Sequence, residues 1–359
     1  RGGRVLSCRA MRVVLFSLAL SGCTLAQMGA PAAGLAGDGG GQAGDMAGGS
    51  GGDLATPVAG TPTLVRVLLA DGAAPSLRGE GPLSWERGVA MDKVAPGVWE
   101  KTVVLSGAVD LKPLRDDKDW SLGANYRARP GETLTICPRF QVAKGRATRR
   151  WPDANGGPLG QRGVWVYTPP GMSVNPGCRY PVLYMHDGQN LFDPRAAFGG
   201  VTWQVAETLD AGANAADPAA ALPEVIVVGP ENAGAGRIDE YTPVRDAMYG
   251  GGGGEAYLRL LTDTLKPYID GALPTRADAT VLVGSSLGGL ITAYAGLQRP
   301  QVFGRLGVMS PSTWWADRWL IGKARAAVIP PGGLLYIDSG DSGPENRSEE
   351  HTSELQSRQ

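Results

Sequence analysis

Hydrophobic and polar positions follow two rhythms along this chain. Between about residues 63 and 141 they alternate in short runs. "TLVRVLLADG" alternates and stops at Asp71-Gly72, "GVWEKTVVLSG" stops at Gly107, and "GETLTICPRF" closes the set. Short alternating runs between turn signals predict half-buried strands of an all-β sandwich. From about residue 155 the runs become continuously apolar: "RGVWVYTPP", "RYPVLYMHDG", "PEVIVVGPEN", "ATVLVGSS" and "GLLYIDSG". Helix-like segments such as "AYLRLLTDTLKPYID" and "GGLITAYAGLQRP" lie between them. Apolar strands alternating with helices predict a largely parallel sheet covered on both faces. The expected fold class is α/β, preceded by a small all-β sandwich.

The first sixty residues show neither rhythm. The stretch from Gly29 to Gly60 is dense in glycine and has almost no large apolar residues. Such a segment cannot bury enough surface to offset its ordering entropy, so a flexible tether is expected. Upstream, Met11 and Arg12 precede the apolar run Val13 to Leu20. That fits a signal peptide, because a membrane span needs about 20 apolar residues. The run ends Leu20-Ser21-Gly22-Cys23, which resembles a bacterial lipobox. The resemblance implies export, cleavage before Cys23, lipidation of its thiol and anchoring in the cell envelope, at the outer membrane or in the periplasm. An ordinary secretory signal with an incidental cysteine is the alternative.

Composition then narrows the partners. Lys+Arg is 34 and Asp+Glu is 35, giving a formal net charge of -1. A nucleic-acid binder is normally clearly basic, so no nucleic-acid partner is expected. The basic cluster Arg146 to Arg150 (RATRR) is short and reads as a solvated linker. With Cys8 before the expected start and Cys23 lipidated, Cys137 and Cys178 remain. An even pair in an exported protein predicts a disulfide joining the two folded regions. Two separate buried thiols are the alternative. Two histidines and two spare cysteines make no ligand cluster, so neither metal nor organic cofactor is expected.

Candidate chemistry begins at "VLVGSSLGGL", residues 281–290. An apolar run meets Gly284-Ser285-Ser286-Leu287-Gly288 and then a helical stretch. This G-x-S-x-G sits between strand and helix, the context a nucleophile elbow requires. Five motifs in chain order, "YPVLYMHDGQNLFD", "EYTPV", "LKPYID", "GSSLGGL" and "MSPSTWW", resemble the putative-esterase family of α/β-hydrolases. That family includes feruloyl, acetylxylan and enterochelin esterases. The resemblance implies that Ser286 is the nucleophile and that the Leu287 N–H is one oxyanion donor. The second donor is expected to be the Gln189 N–H, from the His186 to Asn190 loop. The triad acid is expected after "GLLYIDSG", with Asp341 first and Asp338 and Glu345 as alternatives. Trp203, Glu240, Tyr241, Trp314 and Trp315 are expected to line the cleft or simply to pack beside it. The run Gly250 to Gly254 lacks the lysine and strand of a phosphate loop and reads as a mobile loop near the cleft.

In the β region, "PLSWERGVAM", "GVWEKTVVL" and "LKPLRDDKDWSLGAN" resemble a starch-binding carbohydrate-binding module of family 20. In such modules exposed tryptophans stack on sugars while a lysine and an asparagine bond to hydroxyls. The resemblance carries those roles to Trp85, Trp120, Lys112 and Asn125, making a starch-like glycan the expected partner. Trp99, inside an alternating strand, is expected in the core. A structural β region that binds nothing is the alternative.

The order Ser, acid, His places the base after the acid. His186 precedes the nucleophile. His351 lies ten residues after Asp341, too close for the helix and strand the family places there. One reverse translation of Arg347 to Ser357 resembles a widely used sequencing adapter, so 347–359 is expected to be an artefact. On that reading the catalytic histidine is missing and the chain as written is inactive. The expected organisation is 1–22 upstream residues and signal, 23–62 tether, 63–141 β module, 142–346 truncated esterase domain and 347–359 tail. The expected function is an exported serine ester hydrolase acting on a carbohydrate-linked ester. The alternatives are a siderophore or other small-molecule esterase, and a non-catalytic glycan-binding surface lipoprotein.

Overall fold

The computed structural model describes residues 60–150, 162–175, 177–327 and 333–338. The alternating runs fold into two facing antiparallel-rich sheets. Its strands are β1 (Thr61–Leu68), β2 (Pro75–Gly79), β3 (Val89–Ala90), β4 (Asp92–Ala95), β5 (Val98–Leu105), β6 (Val109–Arg115), β7 (Asp119–Trp120), β8 (Tyr126–Ala128) and β9 (Thr133–Ile136). One sheet has the order β4-β5-β1-β9; the other has β3-β2-β6-β7, with β8 also on β6. In β1, Thr63, Val65 and Val67 are buried and the residues between them are half-buried, the period-2 pattern of a strand with one covered face. Val65, Val67, Leu77, Leu105, Leu111 and Ile136 meet between the sheets, and Trp99 joins them.

A seven-stranded sheet follows, in the order β10-β11-β13-β12-β14-β15-β16. Its members are β10 (Arg146–Arg150), β11 (Val164–Thr168), β12 (Tyr180–Met185), β13 (Ile226–Pro230), β14 (Thr275–Ser285), β15 (Arg305–Met309) and β16 (Leu334–Asp338). From β13 to β16 every neighbour pair is parallel, and β10 and β11 run antiparallel at the other side. Helices α1 (Val205–Ala213), α2 (Arg237–Tyr241), α3 (Gly254–Arg259), α4 (Lys266–Ala272), α5 (Leu287–Gln298) and α6 (Trp315–Arg325) connect them, with a π-helical turn (Leu260–Leu265) between α3 and α4. Buried side chains gather on each side of this sheet, one set around Tyr184, Val228 and Ile291, the other around Leu183, Met185 and Val227. Layers on both faces explain the continuously apolar strands.

Two expectations change here. Arg146–Arg150 is not a linker but strand β10, paired in register with β11 from Arg146↔Thr168 to Arg150↔Val164. Its side chains stay exposed or half-exposed, so a strand held by backbone bonds at the sheet edge leaves no apolar signature. Strand β15, "RLGVM", is a further strand that the apolar runs did not single out, although Pro300 and Gly304 mark the turn before it.

The β module and the large sheet are joined by the Cys137–Cys178 disulfide. Beside it the buried Arg139 reaches across to Glu224 Oε1 at 2.9 Å, Asn214 Oδ1 at 2.8 Å and the Ala213 carbonyl at 2.9 Å. A buried guanidinium with this many acceptors is costly to uncouple, because each partner lost leaves a polar group without water.

Candidate active site

Strand β14 delivers its last residues, Gly284 and Ser285, to the start of α5 through Ser286. Ser286 has φ 60° and ψ -122°, a conformation L-residues rarely adopt. The turn is tight enough that a Cβ on Gly284 would lie 2.3 Å from the Gly288 carbonyl oxygen. Only glycine fits there. The Ser286 N–H donates to the Met309 carbonyl at 3.1 Å, and the Ser312 N–H donates to the Ser286 carbonyl at 3.1 Å. The hydroxyls of Ser286 and Ser312 lie 3.3 Å apart. Leu287 opens α5, so its N–H belongs to the positive end of that helix.

Beside the elbow, β12 ends in the "HDGQN" loop. His186 is fully buried, its Nδ1 2.9 Å from the Tyr257 hydroxyl and its Nε2 without a hydrogen-bond partner among the described residues. Burial pushes its pKa down to about 4, so the ring is neutral at pH 7. A Cβ on Gly284 would touch its Cδ2 at 2.6 Å, so His186 packs beneath the elbow. Asp187 is left-handed at φ 57° and almost fully buried. Arg237 holds both its oxygens, Nε to Oδ1 at 2.8 Å and Nη2 to Oδ2 at 2.9 Å, and Asn232 adds a bond at 2.6 Å. Burial opposes ionisation of Asp187, but Arg237 and Asn232 outweigh it and hold the carboxyl below the usual range. The Asp187 N–H donates to the Tyr241 hydroxyl at 2.9 Å. Gln189 follows in a one-turn 3-10 helix, Gly188–Asn190, and its Oε1 accepts from the Asn232 N–H at 3.2 Å.

The remaining expected residues sort clearly. Glu240 is ion-paired with Arg162 behind the loop. Trp315 is buried and donates from Nε1 to the Val244 carbonyl at 2.8 Å, while Trp314 packs edge-on to Tyr249 with centroids 5.6 Å apart. The Trp203 N–H donates to the Asn190 carbonyl. The glycine run forms a hydrogen-bonded turn against Thr242. Gly252 N–H donates to Thr242 Oγ1 at 2.9 Å, Gly254 N–H donates to the Thr242 carbonyl, and a Cβ on Gly251 would fall 2.3 Å from Thr242 Oγ1. Asp338, an alternative acid, closes β16 with its Oδ1 already accepting from the N–H and hydroxyl of Ser310. Asp341, Glu345, His351 and Cys23 lie outside the described residues.

On the β module, Trp85 and Trp120 are partly exposed and adjacent, ring centroids 6.1 Å apart and tilted by 33°. Arg78 sits 5.5 Å from the Trp120 centroid and is ion-paired with Asp117. Lys112 does not join them. Its ammonium is buried and donates to the Gly123 carbonyl at 2.7 Å, and burial pulls its pKa below the usual lysine value. The lysine role expected on the sugar face is therefore corrected to a structural one: the β6 face on which Lys112 falls is covered. Asn125 is half-buried just before β8.

Sequence reasoning passed over Arg237, Asn232, Asp187, Tyr257 and Ser312. Their only signal was position: Arg237 stands three residues before the "EYTPV" motif, and Ser312 lies inside "MSPSTWW". Among the described residues no group of three His, Cys, Asp or Glu side chains is placed to hold a metal.

Residues 159–358 match the family described as Putative esterase. Among curated proteins, the uncharacterized protein YbbA of Bacillus subtilis (strain 168) is 32% identical over 168 residues, covering 44% of this chain and 60% of YbbA. The Iron(III) enterobactin esterase of Escherichia coli (strain K12) is 35% identical over 91 residues, covering 23% of this chain and 22% of that protein. The chain thus spans less than two thirds of the length of either relative. The crystal structure of the BES protein from Bacillus cereus is similar at 18% identity and a TM-score of 0.41, covering 52% of this chain and 68% of that one.

Proposed function

The chain belongs to the Putative esterase family, and from that premise we propose that it is a serine carboxylic ester hydrolase whose nucleophile is Ser286. One observation carries the residue assignment: the φ 60°, ψ -122° turn that lifts Ser286 between β14 and α5. In the proposed reaction Ser286 Oγ attacks the ester carbonyl carbon as a general base takes its proton. The carbonyl oxygen becomes an oxyanion facing the N–H groups of Leu287 and Gln189. Collapse expels the alcohol, which takes the proton back, and water repeats the sequence to release the acid.

Asp341 is the proposed acid. His186 is unsuited as base, since the ring is fully buried beneath the elbow and its Nδ1 is bonded to the Tyr257 hydroxyl. The base is therefore sought outside the described residues, and without it the chain as written is inactive.

A carbohydrate-linked ester is the proposed substrate. Trp85 and Trp120 offer apolar faces of the kind that stack on a pyranose, with polar Arg78 and Asp117 beside them. A second reading, a siderophore-type ester, is favoured by the likeness to the Iron(III) enterobactin esterase of Escherichia coli. Export to an oxidising compartment, with a lipid on Cys23, is proposed as the setting, and the Cys137–Cys178 bond supports it. The test is hydrolysis of an acetylated oligosaccharide, a feruloyl sugar ester and a catecholate trilactone, with the chain as written and with the full product of its gene. Ser286→Ala is expected to cut the rate on the preferred ester by about 1000-fold or more. Unchanged hydrolysis in that variant sinks the proposal.

A further inference from the structure

The turn after β15 grips the elbow from both sides. Met309 accepts the Ser286 N–H, Ser312 N–H donates to the Ser286 carbonyl, and Ser312 Oγ stands 3.3 Å from Ser286 Oγ. Ser312 is buried, so water does not compete for these bonds. The first turn of α5 presses on the same segment: a Cβ on Gly289 would meet the Met309 carbonyl oxygen at 2.8 Å and Pro311 Cα at 3.0 Å.

That turn is itself held out of its relaxed shape. Ser310 has φ 39°, in the left-handed region that non-glycine residues avoid. What keeps it there is Asp338. The Ser310 N–H is shared between the Asp338 carbonyl at 3.0 Å and its Oδ1 at 2.9 Å, Oδ1 also accepts from the Ser310 hydroxyl at 3.2 Å, and Oδ2 accepts from the Tyr336 hydroxyl at 3.3 Å. Met309 and Asp338 are register partners across β15 and β16, so the carboxylate reaches over the strand end directly onto the turn.

We propose that Asp338, Ser310 and Ser312 form a positioning relay for Ser286. Asp338 fixes the Ser310 turn, the turn sets Ser312 and the Met309 carbonyl, and these hold the strained elbow and the Ser286 hydroxyl in place. The proposal rests on Ser286 being the nucleophile. It removes Asp338 from the candidates for the triad acid, because Oδ1 is committed to the Ser310 turn and Oδ2 to the Tyr336 hydroxyl.

Asp338→Asn separates the two roles. An asparagine oxygen still accepts from the Ser310 N–H, so the relay predicts a loss of kcat of less than about tenfold, with an unchanged pH profile. A triad acid converted to its amide loses about 10⁴-fold, through the wrong tautomer of the base. Ser312→Ala, nearly isosteric and expected to fold, loses the hydroxyl contact and should lower kcat by about tenfold while KM stays within about twofold, since a misplaced nucleophile spoils chemistry more than binding. Circular dichroism and urea midpoints confirm that both variants are folded. A loss beyond about 100-fold in Asp338→Asn, or an unchanged kcat in Ser312→Ala, overturns the relay. Full activity in Ser286→Ala overturns the nucleophile assignment instead, so the two failures are told apart.

Discussion

The elbow at Ser286 and the tryptophan face at Trp120, the proposed nucleophile and the proposed sugar platform, are built in opposite ways. At the elbow the instruction lies in the backbone. Glycine at 284, where a side chain would strike a carbonyl at 2.3 Å, and bonds from Met309 and Ser312 leave one shape for Ser286. At the face the instruction lies in side chains. Trp85 and Trp120 stay at the surface, yet Lys112, expected beside them, turns inward to the Gly123 carbonyl. Backbone-encoded sites survive the step from sequence to structure because sterics permit few alternatives. A side-chain site depends on which rotamer wins, which short motifs do not specify.

Gly284→Ala strains that contrast hardest. The new methyl must displace the Gly288 carbonyl or His186, and a shift of about 1 Å at a nucleophile can cost about 100-fold in rate. Hydrolysis should fall by about that factor while retention in a starch gel stays unchanged. Wild-type hydrolysis by this variant would mean that the elbow is not where the reaction occurs.

Acid should weaken the site region next. His186 in the fold has a pKa of about 4, below its usual 6.5 when exposed. The unfolded chain therefore binds the extra proton first, and stability falls as pH drops from 6.5 towards 4, by about 3 kcal/mol in all. Asp187, held low by Arg237, adds a loss of the same sign at lower pH still. Urea midpoints at pH 7 and pH 4.5 measure this. His186→Phe, which cannot titrate, should narrow the gap between them; an equal gap in wild type and variant would remove His186 from the account.

The tryptophan face gives the smaller effects. Trp120→Ala should weaken retention in soluble starch about tenfold, because an exposed ring contributes contact area without being part of a core. Lys112→Met should leave retention within about twofold and change stability by about 1 kcal/mol, the worth of one buried bond to a carbonyl. If Lys112→Met abolishes retention, the lysine reaches the glycan after all and the contrast between the two sites dissolves.

Much of the fold was legible because burial on both faces leaves continuous apolar runs, as in "VLYM" of β12 and "IVV" of β13. Strand β10 was not, since "RATRR" pairs at an edge where side chains remain solvated. The elbow was legible from its glycines together with the apolar run before them and the helical stretch after. Its supports were not: Asp338 reaches Ser310 across two strands, and Arg237 reaches Asp187 over fifty residues of chain. Contacts of that kind leave no periodic trace. The packing of the glycine run before α3 was hidden for a related reason, since its glycines allow a close approach to Thr242 that their spacing does not show.

The most direct measurement is the mass of the peptide bearing Ser286 after brief exposure of the ester-hydrolysing full gene product to an alkyl fluorophosphonate. Displacement of fluoride by the serine oxygen leaves a stable phosphonyl ester and does not depend on later steps of turnover. A single adduct on Ser286, lost in Ser286→Ala and slowed in Ser312→Ala, is the predicted result. An adduct on another residue, or labelling that persists in Ser286→Ala, would contradict the account.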